Sequence, residues 1–332
     1  MTSLTPTQVS TDPVPTGPVP LCPVTGEPAV RLVQRISARL LVDLWRIIMR
    51  VDARPSFQGT TSFGLWESPT GLYFFDPMLV GDEAFYKKFY AWLPDRYYPH
   101  QGYPRGEFLL AARQVREGER VLDVGCGPGP FRYEVRHAHY TGLDPYFSGD
   151  AADAPVRAES LADHLASRAQ AYDVCTAFQV VEHVADPVGF VSEMARAVRP
   201  GGRVMIGVPH RPAVHTRLPN NMINAVPHHL TWWTEAALLA LADRVGLVKA
   251  RVATTPWTAC EGMLYWAARC TPLDLRDRYY RHAWSWHAAT LLGSALGWLM
   301  WQVRPVPIDR SGGGPSLLLV AEKPDAQVQS HG

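Results

Sequence analysis

The sequence predicts an α/β fold, with a seven-stranded, mostly parallel sheet, a helical extension before it and a helical insertion between its sixth and seventh strands. Two observations carry that expectation. After Arg105, short apolar runs alternate with stretches of helical periodicity, the pattern of a parallel sheet covered by helices. The first of these runs, at 121–124, breaks at a turn with glycines at 125, 127 and 129, as a strand does when its backbone must pass close to a ligand.

The elements follow in order. The first 20 residues are rich in Thr, Pro and Val with one acid, Asp12, and read as a disordered tail rather than a secretory signal. Over 30–49 the apolar Val33, Ile36, Leu40, Leu44 and Ile47 recur at threes and fours between arginines, which predicts one amphipathic helix. An aromatic, turn-rich stretch at 57–77 leads to Gly81-Asp82-Glu83, which opens a helix carrying Phe85, Tyr86, Phe89, Tyr90 and Trp92, read as core or as the wall of a pocket. Strands are expected at 121–124, 140–143, 156–158, 172–177, 204–208, 247–254 and 316–320. Asp186-Pro187 supplies a cap and a first-turn proline for the helix before the fifth strand, with Pro200-Gly201-Gly202 as its stop, and another helix runs from Thr234 to Gly246. The organisation is therefore a tail (1–20), an N-terminal helical and aromatic region (21–104), a core (105–256), a cap insertion (257–315), the last core strand (316–323) and a second tail (324–332).

Composition bounds the function. The chain has 332 residues, 47% hydrophobic, and its 32 basic side chains nearly balance 31 acidic ones, which excludes nucleic-acid binding driven by bulk positive charge. The five cysteines, at 22, 126, 175, 260 and 270, form no C-x-x-C pair, so a reducing cytoplasmic setting is expected.

The glycine turn is preceded by Asp123, and its third glycine comes one residue too early for a dinucleotide fingerprint, where Pro130 stands sixth. Asp144 ends the second strand, where an acid can take both hydroxyls of a ribose. With these motifs in order, the chain resembles the class I S-adenosylmethionine (SAM) dependent methyltransferases, of the type that includes quinone O-methyltransferases, with a Rossmann-like core. The loop Gln179-Val180-Val181-Glu182-His183-Val184-Ala185-Asp186-Pro187 and Pro200-Gly201-Gly202 extend the likeness. It implies SAM as cofactor, with Asp123 near the methionine amino group and the turn through Gly125, Cys126, Gly127 and Gly129 under the methionine and ribose. Asp144 and Pro145 fall at the ribose, Glu159 and Ser160 at the adenine, and Phe178 and Gln179 along the pocket.

The region before the core resembles a narrower group, the sugar C-methyltransferases with a four-cysteine zinc knuckle. Here three of the four ligand positions are Thr25, Glu67 and Thr70, leaving Cys22, so a relic without zinc is expected. The resemblance further implies that His229, His228 and His183 serve the reaction, His229 foremost, because a histidine titrates near neutrality and can take a proton as the methyl moves. His210 is a further candidate base, and Tyr73, Tyr86 and Tyr90 are candidate pocket residues. Quinone O-methyltransferases carry E-x-x-E-H at the loop of Glu182 and His183. Here the first glutamate is Gln179, so no metal is expected.

The insertion contains 283–301, free of Asp, Glu, Lys and Arg, with tryptophans towards both ends and Arg281 and Arg304 outside them. A spanning helix would strand the seventh strand across the bilayer, so the open readings are a buried cap helix and a helix lying on a membrane. The expected acceptor is a small molecule or a glycan. The alternatives are a quinone-like or lipid-linked acceptor methylated on oxygen, with peripheral contact at the inner membrane face, and a non-catalytic SAM-binding partner.

Overall fold

A computed structural model describes residues 18–92, 105–147, 155–213, 216–258, 261–275, 277–304 and 313–325. The expected tails at 1–20 and 324–332 lie almost wholly outside these residues, as do Cys260 and the insertion's residues 305–312.

The chain opens with β1 (Arg31–Ser37), α1 (Ala38–Met49), β2 (Ser62–Glu67), β3 (Tyr73–Asp76) and α2 (Glu83–Trp92). The single helix expected over 30–49 is thus corrected to a strand followed by a helix. β1 pairs antiparallel with β2 from Arg31↔Glu67 to Ser37↔Ser62. Its Gln34 side chain donates to Tyr280 O at 2.7 Å and accepts from Tyr279 N at 2.7 Å, as a neighbouring strand would. Long-range pairing outweighs a periodicity that reads equally well as helix. The helix begins only where the Ser37 hydroxyl accepts from Leu40 N at 3.2 Å. α2 and α1 meet through Trp45, Phe85 and Phe89, all buried, so Phe85 and Phe89 of α2 are core.

The core follows as α3 (Gly106–Ala112), β4 (Arg120–Val124), β5 (His139–Leu143), β6 (Val156–Arg157), α4 (Leu161–Arg168), β7 (Tyr172–Phe178), α5 (Pro187–Ala197), β8 (Val198–Pro209), β9 (Thr231–Trp232), α6 (Glu235–Val245), β10 (Val248–Thr254), α7 (Gly262–Cys270), α8 (Trp284–Val303) and β11 (Ser316–Glu322). The main sheet has the order β10-β11-β8-β7-β4-β5-β6, parallel except for the antiparallel β11. Alternate residues face opposite layers. Leu122, Val204, Ile206, Leu317 and Leu319 enter one apolar cluster, and Val121, Val174, Met205, Leu318 and Val320 enter another. Strand order reverses at β4, which pairs with β5 on one side and β7 on the other, and this is where such sheets open a crevice beyond the carboxyl ends of their strands.

Pro200-Gly201-Gly202 is corrected from helix stop to strand. α5 ends at Ala197 and β8 begins at Val198, with Pro200-Gly201-Gly202 bulging between the pairings Tyr172↔Val198 and Val174↔Arg203, where Gly201 takes φ +69°. A second, four-stranded sheet, β1-β2-β3-β9, takes its last strand from beyond β8. It thereby ties the N-terminal region to the segment carrying His228 and His229.

In the insertion, α7 and α8 pack closely because α8 offers small residues. A Cβ on Gly297 would lie 2.5 Å from Ala267 N, and one on Gly293 would lie 2.2 Å from Thr271 Oγ1. Apart from the buried Trp286, its largest apolar side chains are turned outward, with Trp284 85%, Leu291 69% and Trp298 53% exposed. Of the two open readings, burial therefore fits only the edge formed by Trp286, Ala289, Gly293 and Gly297. Among the described residues, no helix is long and apolar enough to cross a membrane.

Candidate active site

The turn after β4 lies at the strand-order reversal. Gly125 takes φ +68°, and a Cβ there would sit 2.7 Å from Val180, so the loop passes beneath the turn that follows β7 only as glycine. Gly127, at φ +55°, has nothing within 4 Å of where a Cβ would be, leaving an open cradle. The half-buried Asp144 closes the rim. Its Oδ2 accepts from Gly127 N at 2.8 Å and its Oδ1 from Tyr146 N at 2.9 Å. Each oxygen retains a second lone pair, which suits a pair of vicinal hydroxyls.

Asp123 is buried between strands. Its Oδ2 accepts from the Tyr140 hydroxyl and its Oδ1 from the Thr176 hydroxyl, both at 2.8 Å. Burial pushes its carboxyl up to about 7, and the nearby Asp144 adds to the rise against the lowering by the two hydroxyls. Cys126 lies half-buried beside Gly142, a Cβ on which would meet its Sγ at 2.6 Å, and burial raises its thiol far above the usual range. Pro145 is exposed at the rim. Ser160 accepts from Asp163 N at 3.2 Å as the cap of α4, and Glu159 holds His164 Nδ1 at 2.8 Å, so both side chains expected at the adenine are engaged within their own segment. Phe178 packs edge-on to Phe108 and against Phe131. Gln179, at φ +58°, turns its amide to Glu107 Oε1 at 3.1 Å.

Beyond Val180 the short 3₁₀ turn Val181–His183 meets the segment before β9. This brings His183, His228 and His229 together, with ring centroids 4.4 Å (183 to 228), 4.8 Å (183 to 229) and 4.8 Å (228 to 229) apart. His183 Nδ1 lies 2.7 Å from His228 O, and a carbonyl can only accept, so Nδ1 carries the proton and Nε2 presents a lone pair. Glu182 is wholly buried, with Oε1 4.0 Å from both His183 Nε2 and His229 Nε2, and its main chain accepts from Leu230 N at 2.7 Å. Among the described residues neither oxygen of its carboxyl has a hydrogen-bond partner, and burial pushes that carboxyl up to about 8. Desolvation lowers His183 to about 4 and lowers His228 well below the ordinary value, so these two imidazoles are held neutral. Phe89 and Tyr86 of α2 wall the cluster, their ring centroids 4.5 and 6.0 Å from that of His228.

Other expected residues are placed differently. Tyr73 is buried, with Arg211 stacked 3.4 Å over its ring. Tyr90 is exposed and stacks on Tyr86. His210 pairs with Trp233 beside the main sheet, near a small cavity also lined by His229 and Thr231. At the positions expected to form a relic knuckle, Cys22 Sγ accepts from Val24 N at 3.4 Å and Thr25 N at 3.5 Å, while Glu67 pairs with Arg31 at 2.7 Å and Arg211 at 3.4 Å. Glu67 there binds two guanidinium groups.

Sequence reading passed over Glu107 and Glu261. Glu107 is wholly buried in the first turn of α3, 3.9 Å from Arg105. Glu261 is pushed up to about 7 by burial and by Glu107. The available signal was a lone acid opening the apolar run Phe108-Leu109-Leu110.

Residues 98–251 match the family described as Methyltransferase domain. The chain is 28% identical over 151 residues to a ubiquinone biosynthesis O-methyltransferase of Aeromonas salmonicida, covering 40% of this chain and 63% of that protein. It is 35% identical over 106 residues to the enzyme of that name from Salmonella enteritidis, covering 28% of this chain and 44% of that protein. The chain thus spans between about two fifths and two thirds of these relatives' lengths. Over residues 98–251 the chain is thus similar to methyltransferases, on the Rossmann-like fold of the seven-stranded sheet. A SAM-dependent methyltransferase from Archaeoglobus fulgidus aligns with 65% of this chain and 94% of its own at 16% identity and TM-score 0.39, and the [4+2]-cyclase SpnF with 69% and 88% at 19% identity and TM-score 0.41. SAM fits the residues of this region: Gly127 has open space where a Cβ would stand, and Asp144 has acceptor capacity at the rim.

Proposed function

We propose that the protein transfers a methyl group from SAM to a small-molecule or glycan acceptor in a biosynthetic pathway, with the acceptor atom presented to His229, His228 and His183. The observation that carries this reading is the contact of Gly125 with Val180. It puts the cofactor turn one residue from the loop bearing Glu182 and His183. When bound, SAM supplies an electrophilic methyl. The chain's part is to align the acceptor, exclude water behind Phe89 and Tyr86, and receive a proton at an imidazole nitrogen. Gly125, Cys126, Gly127 and Gly129 would carry the methionine, Asp144 and Pro145 the ribose, and Asp123 the amino group; Phe178 and Gln179 would support the pocket from the end of β7, and the segment of Glu159 and Ser160 would border the adenine. Release of S-adenosylhomocysteine (SAH) on addition of hydroxylated acceptors tests this. A chain that binds SAH yet turns over none of a broad acceptor panel would instead be a SAM-binding partner protein.

Asp123 gives the cofactor site a pH signature. Because its folded pKa is raised, the ligand-free fold favours its protonated form, and the stability present at low pH is lost as pH rises towards about 7. A ligand ammonium favours the ionised form, so SAH affinity should climb as pH rises through about 7, by at most about tenfold per unit, and should flatten in Asp123→Asn. Titration calorimetry between pH 5.5 and 8.5, on the order of one pH unit per step, checks this; a flat wild-type profile contradicts it.

A second reading, O-methylation of a quinone-like or lipid-linked acceptor, is favoured by the outward Trp284, Leu291, Trp298 and Leu299 of α8 and by the ubiquinone-pathway relatives. It expects the whole chain to sediment with anionic vesicles. Trp298→Ser with Leu299→Ser should cut binding by about tenfold or more, since each large apolar side chain contributes about 1.5–3 kcal/mol on burial. A wild-type chain that stays in the supernatant removes this reading.

A further inference from the structure

We propose that His183, His228 and His229 form a binding site for a divalent first-row transition ion, of which zinc is the representative, with Glu182 supplying the negative charge beside it. The inference rests on the assembled side chains alone and competes with the base role of His229, because an imidazole lone pair given to an ion takes no proton. One ligand atom from each histidine can be chosen so that all lie within 4.8 Å of one another. A zinc ion bound through nitrogens at about 2.0–2.1 Å draws such atoms to about 3.3 Å apart, so modest side-chain rotations close the site.

Three features point to an ion. His183 is turned and fixed by its Nδ1–H donating to His228 O at 2.7 Å, the outer hydrogen bond that orients a metal-binding imidazole and leaves Nε2 as the donor. His228 is buried, and among the described residues its Nδ1 has no hydrogen-bond partner. Glu182 is wholly buried with both oxygens equally unpartnered among the described residues, 4.0 Å from a ring nitrogen of His183 and of His229. Buried polar atoms are nearly always satisfied, so unpartnered atoms on His228 and on Glu182, both beside His183, mark a missing partner, and a dication satisfies imidazole lone pairs and offsets a nearby carboxylate together.

The donor set also selects the ion. Magnesium wants oxygen ligands. The position that would add a second carboxylate is Gln179, whose amide is directed to Glu107. The nitrogens come instead from His228 and His229, far along the chain from Glu182. Three imidazoles leave one coordination position open, as in zinc sites that bind an exchangeable oxygen ligand. Such a position would take an acceptor hydroxyl or enolate oxygen.

The test uses the whole purified chain, stripped with a chelator and titrated with cobalt(II) alone, with SAH affinity measured on the same sample. The expected result is one equivalent bound, with visible d–d bands that zinc displaces. Affinity should fall by at least about 10–100-fold in His228→Ala and in His183→Gln, with SAH binding retained as proof of fold. X-ray absorption of the zinc-loaded wild type, which needs no variant, should give a shell with three imidazoles. A folded chain that develops no cobalt bands, bands undiminished in both variants, or a shell containing sulfur or oxygen alone would overturn the site. Loss of SAH binding by the wild type would count against the methyltransferase reading and leave the metal result to stand on its own.

Discussion

Replacing Asp144 by alanine is expected to weaken SAH binding by about 100-fold or more. Its two oxygens are the acceptors offered to the ribose hydroxyls, and a hydrogen bond to a charged group contributes about 1.5–3 kcal/mol, where 1.4 kcal/mol is tenfold. The carboxylate also accepts from Gly127 N at 2.8 Å and Tyr146 N at 2.9 Å, so its removal loosens the cradle as well as the ribose contact. Asp144→Asn separates the two effects, since one oxygen remains to hold a loop N–H while the charge is lost. Calorimetry on wild type and both variants should rank them wild type, asparagine, alanine. Equal affinities would show that the ribose is held elsewhere.

His229→Ala is expected to lower methyl transfer by about 10²–10⁴-fold, the range for loss of a positioned acid–base group, while leaving SAH affinity within about twofold. His229 is buried against Glu182 and the other two imidazoles, and its backbone N–H is fixed by Ala225 O at 3.2 Å, so the side chain is removed without freeing the loop. Single-turnover transfer of labelled methyl, measured beside SAH binding, checks it. A variant that loses both would point to a packing role, and one that keeps both would remove His229 from the reaction.

The core strands were legible because each is a short apolar run bounded by a glycine turn or a helix cap, and local signals suffice for that. Asp186, for example, announces α5 in sequence and accepts from Gly189 N at 2.9 Å in the structure. The stretch 31–37 was not legible, since Val33 and Ile36 fit a helix until β2, 25 residues or more further on, offers a pairing edge. The three histidines could be named singly, but their meeting depends on how β9 joins β3, with Tyr73 opposite Trp232 and Phe74 opposite Thr231. No spacing along the chain records that contact. Nor could the sequence tell that Ser160 and Glu159 turn to Asp163 and His164, because those bonds form only once α4 is wound. The exposed face of α8 was half legible. Its lack of charge was plain, while the inward direction of Gly293 and Gly297 required α7 beside it.

The central claim is that the carboxyl ends of β4, β5 and β7 hold SAM. Isothermal titration of the whole wild-type chain with SAH tests it most directly. One site per chain is expected, with an affinity of about micromolar, roughly 8 kcal/mol of binding free energy. A folded chain that releases no heat and gains no thermal stability with SAH would contradict it.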